Sequence, residues 1–317
     1  MSTEVIGWSA FAVLFLAMIT LDMVVGHKKG KEIDIKESLK WTGFWISIAL
    51  IFGIGIYFFK GQTKALEFLA GYLLEYSLSV DNLFVFLMIF TYFSVPPAHQ
   101  HTALFWGIMG ALVMRGIFIA AGVVLVTKFH WLIYVFGVFL IYTAIKMAKG
   151  HDEEIHPEKN PILRLLHKMM PVTTDYGNGN FFLHIDGIRH ATPLFAVILV
   201  LGPTDLMFAL DSIPAILAVT TDPFIVYTSN VFALMGLRSL FFALAGLMSI
   251  FYYIRHGLVV ILMFVGVKML ITDILHIPIG YSLGFIAGTL AIAVVASILR
   301  THKIKMVVNP EDEKGNP

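Results

Sequence analysis

The sequence predicts an all-α polytopic membrane protein, with about nine transmembrane helices in a single transmembrane domain over residues 1–317. Three observations predict this fold class: an apolar composition, a series of long apolar segments and a pattern of charged residues that occurs twice. Hydrophobic residues make up 58% of the chain and charged residues 14%, whereas an average soluble domain has roughly 25% charged residues. This composition indicates a chain that lies mainly in lipid.

Nine apolar segments are long enough to cross a bilayer, which takes about 20 helical residues, and the eighth is the shortest. They are residues 5–25, 41–59, 66–93, 104–127, 131–148, 193–219, 224–250, 258–273 and 279–299. No Lys or Arg precedes the first segment, which is also longer than a signal-peptide core, so we expect a retained helix. Pro96 and Pro97 end the third helix, and Thr192 with Pro193 begins the sixth.

The basic residues of the loops predict the orientation in the membrane. With the N-terminus outside and the C-terminus in the cytoplasm, fifteen Lys and Arg residues lie inside, and only Lys60, Lys64 and Lys128 lie outside. Such an excess follows the positive-inside rule.

The longest connection, residues 149–190, is then a cytoplasmic loop, in which we expect a short amphipathic helix near residues 162–169. Its run of His and acidic side chains lacks the fixed spacing of a metal site and favours a solvated segment; the run comprises His151, Asp152, Glu153, Glu154 and His156. We expect the tail, residues 309–317, to be disordered.

Acidic residues inside two of the apolar segments are the strongest functional signal. Glu75 is followed six residues later by Asp81 and then Asn82, and Asp205 is followed six residues later by Asp211 and then Ser212. An ionised Asp at the centre of a spanning helix costs roughly 2.5–3.5 kcal/mol. Acids in such places are candidate functional residues, although they could also tie helices together as buried ion pairs.

The similarity between the two regions extends beyond the acids and predicts an internal repeat. Arg115 and Arg238 each lie in a similar string, and a Lys-Met pair follows each string. Unit one covers residues 66–148 and unit two residues 191–273. Each unit has three helices, so the second copy is inverted relative to the first. Inverted repeats are typical of secondary transporters, with the site at the bilayer midplane.

The backbone near the second pair of acids predicts two alternatives. Pro203 and Pro214 lie close to Asp205 and Asp211, and each proline removes a helical hydrogen bond. On an unbroken helix, residues six apart differ by about 240° and about 9 Å along the axis, too far to share one ion. Either the helix unwinds here, or each acid serves a different stage of a path.

An all-oxygen set of side chains suits a hard divalent cation such as Mn²⁺, Mg²⁺ or Ca²⁺. The candidate ligands are Glu75, Asp81, Asn82, Asp205, Asp211 and Ser212. Because arginine binds no cation, we expect Arg115 and Arg238 to be charge partners that keep the carboxylates ionised. Asp22, at the end of the first helix, either extends the path or faces lipid headgroups.

Other functions find little support in the sequence. Without a Walker, HExxH or GxSxG motif, we expect neither an enzyme nor an ATP-driven pump, and coupling would use protons or the membrane potential. A net charge of +1 favours no nucleic-acid partner, and the absence of cysteine excludes thiolate metal sites. The expected partners are a metal ion and membrane lipid, with no tightly bound cofactor; the oligomeric state stays open.

Three strings resemble the Alx-like bacterial branch of the TerC family, and the resemblance extends over nearly the whole chain. They are EYSLSVDNLFVFLMIF (residues 75–90), FWGIMGALVMRGIFIAAG (105–122) and DLMFALDSIPAILAVTTDPFIVYTSNVFALMGLR (205–238). The resemblance implies a polytopic protein of the bacterial inner membrane, linked to manganese export and historically to tellurium resistance. It would give the transport role to the four acids, with Asn82 beside them. Tellurite is an anion, so we expect any such resistance to be indirect.

The chain departs from the family at Gly202, where a glutamate is usual three residues before Asp205. The family's full site is therefore missing one carboxylate here. Export of Mn²⁺ is the first hypothesis. A membrane scaffold that delivers metal or assists the assembly of exported or membrane proteins is the second, and efflux of amino acids or other organic cations is the third.

Overall fold

The computed structural model describes residues 3–26, 35–149, 161–245, 253–275 and 277–308. Before the long connection these residues form α1 (Thr3–Gly26), α2 (Ile35–Lys60), α3 (Gln62–Tyr92), α4 (Pro97–Lys128) and α5 (Leu132–Ala148). The connection holds α6 (Pro161–Met169), a 3₁₀ turn (Gly177–Gly179) and a hairpin of β1 (Phe182–Ile185) and β2 (Ile188–Ala191). After it come α7 (Pro193–Leu217), α8 (Pro223–Ala245), α9 (Ile254–Leu270) and α10 (Ile279–Val308).

The predicted all-α polytopic membrane fold is confirmed. Within the part of the chain described, seven helices are long and apolar enough to cross a membrane: α1, α2, α3, α4, α7, α8 and α10. α5 and α9 have 17 residues each, or about 26 Å of helix against a hydrocarbon core of about 30 Å. Seven helices of spanning length therefore stand against the nine predicted.

The helix ends agree with the local sequence signals. The hydroxyl of Thr192 accepts a hydrogen bond from the Phe195 N–H at 3.4 Å, and Pro193 is the first residue of α7. α3 ends at Tyr92, and Pro97 begins α4. A proline at the first helical position loses no hydrogen bond, because that N–H would have had no helical partner.

Close contacts at glycines show the relative direction of neighbouring helices. Gly71 of α3 lies against Ser229 of α8, and Gly236 of α8 lies further along against Tyr76 of α3. α3 and α8 are therefore parallel. Small residues let helix backbones approach closely in lipid, where apolar burial drives little association.

The pair α4 and α7 packs in the same way. Gly107 and Gly122 of α4 lie against Leu201 and Leu217 of α7, so these two helices are also parallel. α4 and α8 are antiparallel, because Gly116 lies against Tyr227, whereas Ile108, two turns earlier, shares a small pocket with the later Leu234 and Arg238.

α5 and α9 are antiparallel and touch through their backbones. A Cβ added at Gly137 would lie 3.0 Å from the carbonyl oxygen of Gly266. At one end, Arg255 of α9 donates to the carbonyl of Met147 at 2.9 Å. At the other end, the Tyr134 hydroxyl donates to Asp273, just after α9. The two helices are thus held together along their whole length.

The described part of the connection between α5 and α7, residues 161–192, forms a cap over the helix ends. The amphipathic helix predicted near residues 162–169 is confirmed as α6, which buries Leu163 and Leu166. The hairpin was not predicted; its tight turn uses positive φ at Asp186 and Gly187. The predictions for the His and acidic run of residues 151–156 and for the tail lie outside the described residues.

Candidate functional site

The helices that carry the acids are continuous. α3 is helical from Gln62 to Tyr92, and α7 is helical from Pro193 to Leu217 with two prolines inside it. Unwinding, one of the two alternatives drawn from the sequence, is therefore not found. Glu75 and Asp205 project from regular helices into the centre of the bundle, where their side chains are 1% and 2% exposed.

A single guanidinium group joins the two acids. Arg115 of α4 is completely buried, and its Nε donates to Oδ2 of Asp205 at 2.7 Å. Its Nη1 donates to Oε1 of Glu75 and lies 3.4 Å from the Ser212 hydroxyl. Ser79 donates to the same Glu75 oxygen at 3.3 Å. The acids that open the two motifs, on α3 and α7, thus meet at one arginine on α4.

The cluster of Glu75, Arg115 and Asp205 holds one more negative than positive charge, because two carboxylates face one guanidinium. Oε2 of Glu75, Oδ1 of Asp205 and Nη2 of Arg115 are buried and have no hydrogen-bond partner among the described residues. Buried carboxylate oxygens are costly to leave unpaired. The cluster therefore offers two oxygens and one net negative charge to a cation or a donor group.

Asp211 lies in a different place. Its Oδ1 accepts a hydrogen bond from the Thr143 hydroxyl of α5 at 3.1 Å, whereas Asp205 faces Arg115 of α4. The two acids of α7 therefore contact different neighbouring helices, as their spacing on an unbroken helix requires. Thr143 was not singled out in the sequence, where nothing marks it apart from other threonines in apolar segments.

On α3, Asn82 is buried, 6% exposed. Asp81 lies within α3, but its side chain is outside the part of the chain that the structure describes. Gly202 is also buried, one turn before Asp205, and a Cβ there would lie 3.1 Å from Cε of Met114, next to Arg115 on α4. The position of the family's usual glutamate thus borders the cluster.

Arg238 takes a separate partner. Its Nη2 lies 2.6 Å from Oδ1 of Asp22 on α1, and together they line a small pocket with Phe105, Ile108, Met109, Leu234 and Met235. The structure therefore places Arg238 apart from Arg115 and gives Asp22 the role of its counter-ion. Of the acidic side chains that the structure describes, it is Asp22 that balances the charge of Arg238.

Among the side chains that the structure describes, which do not include that of Asp81, no three of His, Cys, Asp and Glu lie close enough to hold a metal ion. Without a third acid among the described side chains, the cluster can hold one cation at its two unpaired carboxylate oxygens, beside the guanidinium that holds both acids in place.

Known proteins resemble the chain over nearly its whole length. The model of the "Integral membrane protein TerC family" matches residues 60–305. "Uncharacterized membrane protein STKORF319" of Myxococcus xanthus is 47% identical over 295 residues, which cover 93% of this chain and 92% of that protein. No solved structure matches.

Two further relatives carry a functional name. "Putative membrane-bound redox modulator Alx" of Salmonella typhi is 43% identical over 305 residues, covering 93% of this chain and 95% of that protein. The protein of the same name in Escherichia coli (strain K12) is 43% identical over 297 residues, covering 91% and 92%.

Proposed function

The chain belongs to the integral membrane protein TerC family, and from this premise we propose that it is a secondary transporter that exports Mn²⁺ or a similarly hard divalent cation. The observation that carries the proposal is the buried cluster of Glu75, Arg115 and Asp205, with its net negative charge and two unpaired carboxylate oxygens. Carboxylate oxygen is the ligand type that Mn²⁺, Mg²⁺ and Ca²⁺ share.

In this proposal, α3–α5 and α7–α9 are inverted repeats. The packing supports it, because an inverted repeat makes each helix antiparallel to its counterpart. α4 is antiparallel to α8, and α5 to α9. The pair α3 and α8 and the pair α4 and α7 exchange with each other when the two units are exchanged, and both pairs are parallel. Glu75 and Asp205 then occupy equivalent positions on either side of Arg115, as expected of a midplane site between repeats.

The proposed topology has nine crossings, with the N-terminus outside and the C-terminus in the cytoplasm of a bacterial inner membrane. α5 and α9 then cross as a closely packed antiparallel pair, in which each short helix is bordered by protein as well as lipid. The fifteen-to-three distribution of basic residues supports this orientation. It puts the α6 and hairpin segment on the side from which the cation is exported.

The name of the Salmonella and Escherichia relatives concerns redox state. This chain has no cysteine, so thiol–disulfide exchange by its own side chains is not open to it. Control of the cellular level of a redox-active metal ion would link the two functions. Any effect on tellurium resistance would arise through the same metal balance.

A scaffold that delivers metal or assists other membrane proteins would depend on different residues from a transporter. Its function would depend on accessible segments such as α6 and the hairpin, and it would tolerate the loss of a single buried acid. A transporter would lose activity with Glu75 or Asp205 and tolerate changes at exposed loop residues.

The test is manganese uptake into proteoliposomes that contain the purified chain, compared with Glu75→Gln and Asp205→Asn. Both substitutions keep the side-chain shape and remove one carboxylate charge, so uptake should be lost. Glu67→Gln is the matched control: Glu67 lies on the same helix, but it bonds Lys64 and Thr220 near the helix end. The proposal would be refuted if neither the wild type nor Glu67→Gln took up manganese. It would also be refuted if both Glu75→Gln and Asp205→Asn took up manganese as fast as the wild type.

A further inference from the structure

Asn230 of α8 is a buried amide whose hydrogen bonds are unaccounted for. The side chain is 1% exposed, and neither Oδ1 nor Nδ2 has a partner among the described residues. The preceding polar residues on the helix are satisfied, since the hydroxyls of Thr228 and Ser229 donate to the carbonyls of Phe224 and Ile225. A buried amide with both atoms unpaired is expensive, which indicates that something else binds it.

The helix register places Asn230 at the level of the charged cluster. Tyr227, three residues earlier on the same stripe of α8, lies against Gly116 of α4. Leu234, four residues later, lines the pocket shared with Ile108 of α4. Because the two helices are antiparallel and residues three and four apart share a face, Asn230 lies opposite the α4 stretch between these contacts. That stretch includes Arg115.

The bundle therefore brings two kinds of unpaired oxygen to within about one helical turn of each other along the bundle axis. Glu75 and Asp205 each leave one carboxylate oxygen unpaired, and Asn230 leaves its amide oxygen unpaired. An amide oxygen is a neutral ligand that hard divalent cations accept readily alongside carboxylates. The amide therefore supplies a further coordinating oxygen, and because it is neutral it does not add to the repulsion between the two acids.

We infer that Asn230 is an additional ligand of the cation bound at the Glu75–Arg115–Asp205 cluster, and that its amide oxygen coordinates a hard divalent ion. The inference rests on the proposed function and assigns a further ligand to the same site. In this site the two acids supply the charge and Asn230 supplies a neutral oxygen. Arg115 holds the acids in place and does not bind the ion.

The experiment measures the half-saturating concentration of Mn²⁺ for uptake into proteoliposomes, for the wild type and three variants. Asn230→Leu keeps a similar volume but removes the ligand, and should raise that concentration about tenfold or more. Asn230→Asp keeps the shape and adds a charge, and should lower it. Thr228→Val, a buried change on the same helix, should leave it unchanged.

The outcomes separate this inference from the function it rests on. A half-saturating concentration in Asn230→Leu equal to that of the wild type would overturn the inference and leave the transport function standing. Absence of uptake by the wild type would overturn both. If Asn230→Leu does not fold, Asn230→Asp decides: an unchanged half-saturating concentration overturns the inference. A loss of thermal stability in both variants at constant half-saturation would likewise assign Asn230 a structural role only.

Discussion

Nη2 of Arg238 lies 2.6 Å from both the Oδ1 and the backbone oxygen of Asp22. The contact joins α1, which is mostly exposed along its length, to α8, the most deeply buried of the spanning helices. Both side chains are more than nine-tenths buried. This ion pair therefore attaches a peripheral helix to the centre of the bundle.

Breaking this pair on one side should destabilise the protein markedly. Asp22→Leu leaves Arg238 buried without its counter-ion, which costs about 3–5 kcal/mol, and should lower the unfolding temperature in detergent. The double variant Asp22→Leu/Arg238→Leu should recover much of the loss. The control is Lys60→Met, which removes a partly exposed bridge to Asp222 at 3.8 Å and should cost less than about 1 kcal/mol. If Asp22→Leu and Lys60→Met lowered the unfolding temperature equally, the Asp22–Arg238 pair would not be a buried, stabilising contact.

Asp211→Asn should abolish manganese uptake while the protein still folds, because it removes a charge from a half-buried part of the bundle without a change of shape. Thr143→Val tests whether the hydrogen bond to Asp211 is what matters. It deletes that bond and leaves the charge, so uptake should persist at a reduced rate. Equal loss in both variants would mean that Asp211 acts only as a tie to α5.

Gly202→Glu should tighten Mn²⁺ binding, because it adds a carboxylate one helical turn from Asp205. The position accepts a side chain at moderate cost, since its nearest neighbour is the flexible end of Met114 at 3.1 Å. Gly202→Gln is the matched control, of nearly the same size but uncharged. Isothermal titration of the purified proteins with Mn²⁺ measures the difference. Identical affinities for the Glu and Gln variants would show that position 202 does not face the ion.

The proposed orientation can be tested by labelling introduced cysteines, without background labelling of the protein itself, because the natural chain has no cysteine. Single cysteines at Lys128 and Asp222 should react with a membrane-impermeant maleimide added to intact cells. A cysteine at Thr173, in the connection before the hairpin, should react only after the cytoplasmic membrane is opened. The reverse pattern would invert the topology and would place the α6 and hairpin segment outside.

The sequence was sufficient to predict the membrane class, the end of α3 before Pro96, the start of α7 at Thr192 and Pro193, and α6. These features depend on local composition and on capping, which short stretches of sequence encode. Spanning length was harder to judge for α9. Apolar residues continue past its end at Leu270, and hydropathy alone does not mark where the last turn of a helix stops.

The sequence did not predict which of the buried charged residues form ion pairs with each other. The repeat suggests that Arg115 and Arg238 do equivalent work, but among the described side chains Arg115 contacts Glu75 and Asp205, whereas Arg238 contacts Asp22. Arg238 meets Asp22 because α1, which has no counterpart in the repeat, packs against α8. Asn230 gave no signal either, since an asparagine in an apolar helix stands out only when the structure leaves its amide without a partner.

The cap formed by the connection has a mechanical consequence. The Tyr176 hydroxyl donates to the carbonyl of Phe93, just after α3, at 2.6 Å. The Thr192 hydroxyl, at the start of α7, donates to the carbonyl of Asn180 at 2.8 Å. The described part of the connection thus joins the turn after α3 to the start of α7. In the proposed transporter, these two bonds would hold α3 and α7 together on this face, so that any larger separation of the two helices would open at the opposite face of the membrane.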